Sequence, residues 1–215
     1  MKIFIDFDDV LLNTKKFIKN FRKIFKENGI SELVFRKYYY DYPIRQKGGR
    51  LKKYDSIEHV KRIKKELGMD TRKLEKDLKK FIETAEKYVF SDVEQFLLNL
   101  RKDDLYLVSY AKTKFQEDKI KNSGLAKHFK GIIILDKMKS DALKSIIKKD
   151  KISKKEKLYF IDDRVEQVSD VKRNIPALKT LLMRRKEGRY SDMRSRYCDF
   201  EVKNLKEAAK IICKK

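Results

Sequence analysis

Tryptophan is absent from this chain. Proline, glycine, cysteine and histidine are scarce: two prolines, seven glycines, two cysteines and two histidines among 215 residues. With so little glycine and proline there is no flexible linker and no low-complexity tract. Cys198 and Cys213 lie near the carboxyl end, in no metal-binding spacing, and suggest no disulfide framework. His59 and His128 have no acids or cysteines spaced with them for a metal, so packing or surface positions are expected. No apolar run approaches the ~20 residues that span a bilayer. The start, Met1-Lys2-Ile3-Phe4-Ile5-Asp6, lacks the apolar stretch of a signal peptide. A soluble, reducing, cytoplasmic setting without a membrane partner is therefore expected. No G-x-x-x-x-G-K-[ST] loop, no G-x-G-x-x-G after the first apolar run and no G-x-S-x-G elbow occurs. That weighs against nucleoside triphosphatases, dehydrogenases and serine hydrolases.

Charge, by contrast, is abundant. Lysine and arginine number 56 against 33 acids, a net charge of +23. Such a balance favours anionic partners, whether nucleic acid, acidic membranes or phosphorylated small molecules. Lysines spread over solvated helix faces would give the same sum. The basic residues focus between Arg36 and Lys53, where Arg36, Lys37, Arg45, Lys47, Arg50, Lys52 and Lys53 face a single acid, Asp41. Gly48-Gly49 gives this stretch the character of a loop. Arg45, Lys47 and Arg50 are candidate contacts to an anionic substrate. The neighbouring Tyr38-Tyr39-Tyr40-Asp41-Tyr42 run is divided between core and surface, or lines a cleft.

The apolar pattern changes along the chain. Residues 13 to 90 read as wholly helical. Phe17, Ile18, Phe21, Ile24 and Phe25 recur at helical spacing and end at Asn28-Gly29. A second helix follows Ser56 and closes at Gly68, and a third follows Asp70. From residue 91 helices and strands alternate. Ser91-Asp92-Val93-Glu94 and Thr113-Lys114-Phe115-Gln116 are capping-box signatures. Strands are expected over Leu105–Val108, Gly131–Leu135, Leu158–Ile161 and Leu178–Met183, besides the first. Helices are expected from Ser140, over Val165–Arg173 and from Asn204 to Ile212. Such alternation means βαβ units and a parallel sheet. The helical stretch is then an insertion after the first strand.

Two carboxylate clusters say most about chemistry. Ile3-Phe4-Ile5 runs into Asp6-Phe7-Asp8-Asp9, and Leu158-Tyr159-Phe160-Ile161 runs into Asp162-Asp163. A short apolar run that stops at acids reads as a buried parallel strand with its acids at the carboxyl edge, where open α/β sheets bind ligands. Two like charges about 4 Å apart repel by roughly 4 kcal/mol at an effective dielectric near 20. A hard divalent cation with oxygen ligands relieves this. A metal site built from both ends of the chain is expected.

Asp6-Phe7-Asp8-Asp9-Val10, Ser109, a lysine in the Lys137–Lys139 region and Asp162-Asp163 together resemble the four motifs of the haloacid dehalogenase-like hydrolase superfamily. The likeness covers residues 1 to 12 and 91 to 213. It implies a Rossmann-like parallel-sheet core, 1–12 and 91–215, with an all-helical cap inserted at 13–90. It implies a Mg²⁺ ion held by Asp6, Asp8 (through its backbone carbonyl) and Asp162, with Asp163 supporting the metal through water or orienting its neighbours. Asp6 would attack phosphorus, Asp8 would move protons, Ser109 would hold a phosphoryl oxygen and a lysine would neutralise charge. Lys139 fits this part because Lys139-Ser140-Asp141 opens a helix as the family pattern does; Lys137 is the rival. Asp9 stands where many members have glycine, and Ser109 where threonine is common. An acid at Asp8 resembles the phosphatase and phosphomutase branches rather than the dehalogenases. The implied activity is phosphoester hydrolysis of a phosphorylated small molecule. A phosphomutase, a nucleic-acid-binding protein on the same fold and a polynucleotide end phosphatase stand as alternatives.

Overall fold

The apolar run at the amino end forms the first strand, β1 (Lys2–Ile5), and Ile3, Phe4 and Ile5 are wholly buried. A computed structural model describes residues 1–40 and 54–214. Four helices follow β1: α1 (Thr14–Glu27), α2 (Glu32–Tyr40), α3 (Ser56–Leu67) and α4 (Arg72–Ile82). The alternating part then begins, with α5 (Val93–Leu98), β2 (Leu105–Tyr110), α6 (Lys114–Asn122), β3 (Gly131–Leu135) and α7 (Lys139–Lys149). It ends with β4 (Leu158–Asp162), α8 (Val165–Asn174), β5 (Lys179–Met183), β6 (Phe200–Val202) and α9 (Leu205–Ile212).

The six strands form one parallel sheet in the order β3-β2-β1-β4-β5-β6. This is the α/β sheet with a helical insertion after β1 that the sequence pattern implies. The sixth strand was not expected. It has only three residues, too few for a periodic signal, and it pairs with β5 through Leu181, Leu182 and Met183.

Alternation along the strands sorts the core into two layers. Ile3, Ile5, Leu105, Leu107, Tyr159 and Ile161 face one side, packed with the insertion, α5 and α9. Phe4, Tyr106, Val108, Phe160 and Leu182 face the other, packed with α7 and α8. In α1 the one-turn spacing of Phe17, Phe21 and Phe25 buries all three on one face. They meet Phe35, Phe81, Tyr88 and Phe115 in a continuous aromatic layer. His59 lies in this layer, fully buried, with its ring 4.7 Å from that of Phe25. It is a packing histidine.

The chain enters and leaves the insertion side by side. Asn13 N–H donates to Tyr88 O at 2.7 Å, and Phe90 N–H donates to Leu11 O at 3.0 Å.

Helix ends depart from the sequence reading in detail. Asp55, Thr71 and Met138 occupy the cap positions before α3, α4 and α7, so Ser56 already lies inside its helix. The 91–94 capping box does not form. Asp92 precedes α5, and its carboxylate instead pairs with Arg185 and accepts from Leu205 N–H. A buried guanidinium competes successfully for that carboxylate.

Candidate active site

The strand order reverses at β1, whose neighbours are β2 and β4. Register places Ile5 opposite both Leu107 and Ile161, so Asp6 and Asp162 emerge together at the carboxyl edge. Asp6 N–H donates to Ile161 O at 2.9 Å. Oxygens of Asp6, Asp162 and Asp163 all lie within 4.8 Å of one another, and all three residues are buried.

Lys139, the first residue of α7, reaches into this group. Its Nζ is 2.6 Å from Asp6 Oδ1 and 2.6 Å from Asp162 Oδ2. Burial opposes its charge, but Asp162 and Asp6 outweigh that and push the ammonium up to about 12. Lys137 is exposed and stands 3.9 Å from Asp141 instead. Burial pushes Asp6 up to about 7; Lys139 opposes this, while Asp162 and Asp8 add to it. Asp163 is also raised well above the usual carboxylate range, first by burial and then by the charges of Asp162, Asp6 and Asp9. Among the described residues its Oδ2 is buried without a hydrogen-bond partner. An unpartnered carboxylate oxygen beside two more carboxylates suits a hard divalent cation, so these residues fit Mg²⁺.

The Asp8 carboxylate stands apart from this triad. Oδ1 accepts from Thr14 Oγ1 and from Lys119 Nζ, both at 2.7 Å, and Oδ2 accepts from Gln116 Nε2 at 2.8 Å. Burial alone would raise this carboxyl. Lys119 and Arg189 outweigh burial, with hydrogen bonds from Lys119 and Thr14, and hold it well below the usual carboxylate range. The same Gln116 amide donates to Ser109 Oγ at 2.8 Å, so one side chain joins β2 to the loop after β1.

Two non-glycine residues at the cleft take left-handed backbone: Asp9 at φ 56° and Ala111 at φ 71°. For an L-residue this costs about 1–2 kcal/mol. Aspartate tolerates it better than most, which accounts for Asp9 where glycine is common. Asp9 is also tied down, since its Oδ2 accepts from Arg189 Nε.

These groups line a cleft of about 140 Å³. Asp6, Asp8, Ser109 and Asp163 form its polar floor, with Gln116, Lys119 and Thr14 beside them. Phe17, Phe21, Tyr39, Tyr54 and Phe115 line its aromatic side, and Tyr110, Arg164, Arg189 and Tyr190 complete it. The tyrosine run thus divides: Tyr38 is buried, Tyr39 lines the cleft and Tyr40 is exposed. Arg45, Lys47 and Arg50 lie outside the described residues.

The structure therefore brings Asp6, Asp8, Ser109 and Asp163 to one cleft, with Lys139 and Asp162 buried in contact with one another and Lys139 touching Asp6. Sequence reasoning missed Thr14, Gln116, Lys119 and Arg189. Gln116 was visible only as the last residue of a capping box. That box is half formed: Gln116 N–H donates to Thr113 Oγ1, but its side chain turns to Asp8 and Ser109. Lys119, three residues on, shares its helix face. Nothing local marks Arg189.

A parallel α/β sheet with an acidic, cation-fitting carboxyl edge is thus defined by fold and site together. Residues 3–177 match the haloacid dehalogenase-like hydrolase family, and the chain belongs to it. Among solved structures, the HAD-hydrolase YfnB from Bacillus subtilis, bound to magnesium, is similar at TM-score 0.65 and 18% identity, covering 99% of this chain and 98% of that one. A haloacid dehalogenase-like hydrolase from Burkholderia xenovorans LB400 is similar at TM-score 0.74 and 18% identity, covering 97% and 94%. L-2-haloacid dehalogenase from Xanthobacter autotrophicus is similar at TM-score 0.64 and 16% identity, covering 98% and 97%. At such identities the likeness is one of fold. No curated protein matches the chain. Among the described residues no helix is long and apolar enough to cross a membrane.

Proposed function

We propose that the chain is a Mg²⁺-dependent phosphomonoesterase that works through a phosphoryl group carried on Asp6. The observation that carries this reading is the buried triad of Asp6, Asp162 and Asp163 with its unpartnered Asp163 oxygen. Asp6, Asp162, Asp163 and the Asp8 backbone carbonyl would hold Mg²⁺. When bound, the ion neutralises charge that builds on phosphoryl oxygens.

The side chains divide the remaining work. An Asp6 oxygen attacks phosphorus, the ester P–O bond breaks and the departing oxygen takes a proton from the protonated form of Asp8. Lys139, 2.6 Å from Asp6, balances the added negative charge. Ser109 offers its hydroxyl to a phosphoryl oxygen. Asp8 takes a proton from the water that then attacks phospho-Asp6. Its partners Lys119, Thr14 and Gln116 keep it a carboxylate, the form a base requires. To protonate the ester oxygen in the first step, Asp8 must first gain a proton against these partners. The arrangement therefore favours the water-activating half.

An acid at Asp8 also separates this reading from dehalogenation. Halide leaves without a proton, whereas an alkoxide needs one. The test is product release from a panel of phosphorylated metabolites, nucleotides and 2-chloropropionate, with Mg²⁺ and with EDTA. Mg²⁺-dependent phosphate release supports the reading. Halide release without phosphate release overturns it.

A further inference from the structure

Two arginines that the reaction above does not use line the same cleft. Arg164 follows Asp162-Asp163 at the end of β4, and Arg189 belongs to the connection after β5. Tyr190 is close to both. The Cζ of Arg164 is 5.0 Å from the centre of its ring, and that of Arg189 is 5.3 Å away. All three stand on the wall built by the sheet, not on the inserted helices.

An arginine carries five N–H donors in a planar fork. Among the described residues, Arg189 uses only its Nε, on Asp9, and its terminal amino groups have no hydrogen-bond partner. Arg164 pairs one amino group with Glu166, while its Nε is buried with no partner. Two forks with unused donors therefore stand near one aromatic ring. The phosphoryl group already has Lys139, Ser109 and the carboxylate triad to meet it. The cleft is also small, about 140 Å³, comparable with a cavity that admits a single benzene ring.

We propose that Arg164, Tyr190 and Arg189 form a subsite for a second anionic group, so that the preferred substrates are compact phosphomonoesters bearing a further carboxylate or phosphate. This rests on the phosphomonoesterase reading. Arginine forks take both oxyanions in the same bidentate manner. Both guanidinium groups lie within cation–π reach of the Tyr190 ring. Asp9 orients Arg189 from behind, which gives the left-handed aspartate in the nucleophile loop a purpose that glycine cannot serve.

The test uses the whole chain in excess Mg²⁺ and three phosphonates that are not hydrolysed, with affinities measured by calorimetry. Ethylphosphonate has one anionic group, phosphonoacetate adds a carboxylate and methylenediphosphonate adds a second phosphonate. At least one doubly anionic ligand should bind about tenfold or more tighter than ethylphosphonate, and the tighter of the two identifies the second group. Arg164→Gln should shrink that preference to about threefold or less. The double change Asp9→Gly with Arg189→Gln should do the same. It strands no buried carboxylate, and glycine suits φ 56° at that position.

Equal wild-type affinity for all three ligands, or no binding of any, overturns the subsite. So does a preference that survives in both variants. An equal loss on all three ligands in the variants would put the guanidinium groups on the phosphoryl group and overturn it too. Turnover is read separately. A preserved preference with no phosphomonoester hydrolysis overturns the catalytic reading while the subsite stands.

Discussion

Lys119 places its ammonium 2.7 Å from Asp8 Oδ1 and so ties the helix after the second strand to the loop after the first. The Lys119 and Asp8 side chains retain only 5% and 20% of their exposure. The ammonium also lies near the rings of Phe7, Phe17 and Phe115, at 5.7, 5.7 and 5.4 Å. Removing one partner of a buried pair costs more than the pair itself contributes, because the other charge is left behind. Asp8 keeps Thr14 and Gln116, which softens the loss. Lys119→Met should lower stability by about 2 kcal/mol, measured by urea unfolding at neutral pH. An unchanged midpoint and slope would contradict this.

Asp8→Asn removes the base while keeping the shape. Hydrolysis of an unactivated phosphomonoester should fall by roughly 10²–10⁴-fold, the range for a positioned acid–base group. With an activated aryl ester, which needs little protonation, attack by Asp6 should continue while water attack stalls. Acid-quenched protein should then hold a phosphoryl group on the peptide containing Asp6, seen by mass spectrometry. No trapped phosphoryl group and a rate near wild type would remove Asp8 from this role.

Divalent binding should be visible in stability as well as rate. A ligand at about 100 times its dissociation constant stabilises the folded state by roughly 2.7 kcal/mol. Mg²⁺ should therefore raise the melting temperature, and EDTA should reverse the rise. Asp163→Asn should abolish the shift. Without metal that variant should be at least as stable as wild type, because it removes one of three crowded carboxylates. A full Mg²⁺ shift in Asp163→Asn would contradict the assignment.

His59 makes stability depend on pH. Burial, with the charge of Arg62, pushes its ring down to about 3. Its Nδ1 lies 2.8 Å from the Tyr54 hydroxyl, and among the described residues its Nε2 is buried without a partner. The unfolded chain takes up the same proton near pH 6.5. Below that pH the unfolded state binds more protons, so stability from the neutral ring is complete above about 6.5 and declines as pH falls toward 3. Wild type should lose up to about 1.4 kcal/mol per pH unit relative to His59→Phe in this window. Parallel pH profiles from urea unfolding would contradict it.

Much of the sheet was legible because a strand covered on both faces reads as a short apolar run, and each run that mattered stopped at acids. Ile5-Asp6 and Ile161-Asp162 mark the metal-fitting carboxylates in the sequence, and strand register brings them side by side. Length set the limit elsewhere: Phe200-Glu201-Val202 is a strand only because β5 lies beside it. Side-chain partnerships were the least legible. Gln116 has the spacing of a capping residue, and only the approach of β1 to β2 turns its amide toward Asp8 and Ser109. Asp92 likewise looks like part of a helix cap until Arg185, 93 residues away in the chain, claims its carboxylate. Arg189 meets Asp9 across 180 residues, with no local pattern to announce it.

The central claim is that Asp6 carries the phosphoryl group. It is tested most directly by hydrolysis of p-nitrophenyl phosphate in Mg²⁺ by wild type and Asp6→Asn at matched concentrations, with circular dichroism to verify the fold. The amide is a poor nucleophile, so the variant should retain the fold and lose roughly 10³-fold or more of the rate. Equal rates in the two proteins would contradict the account.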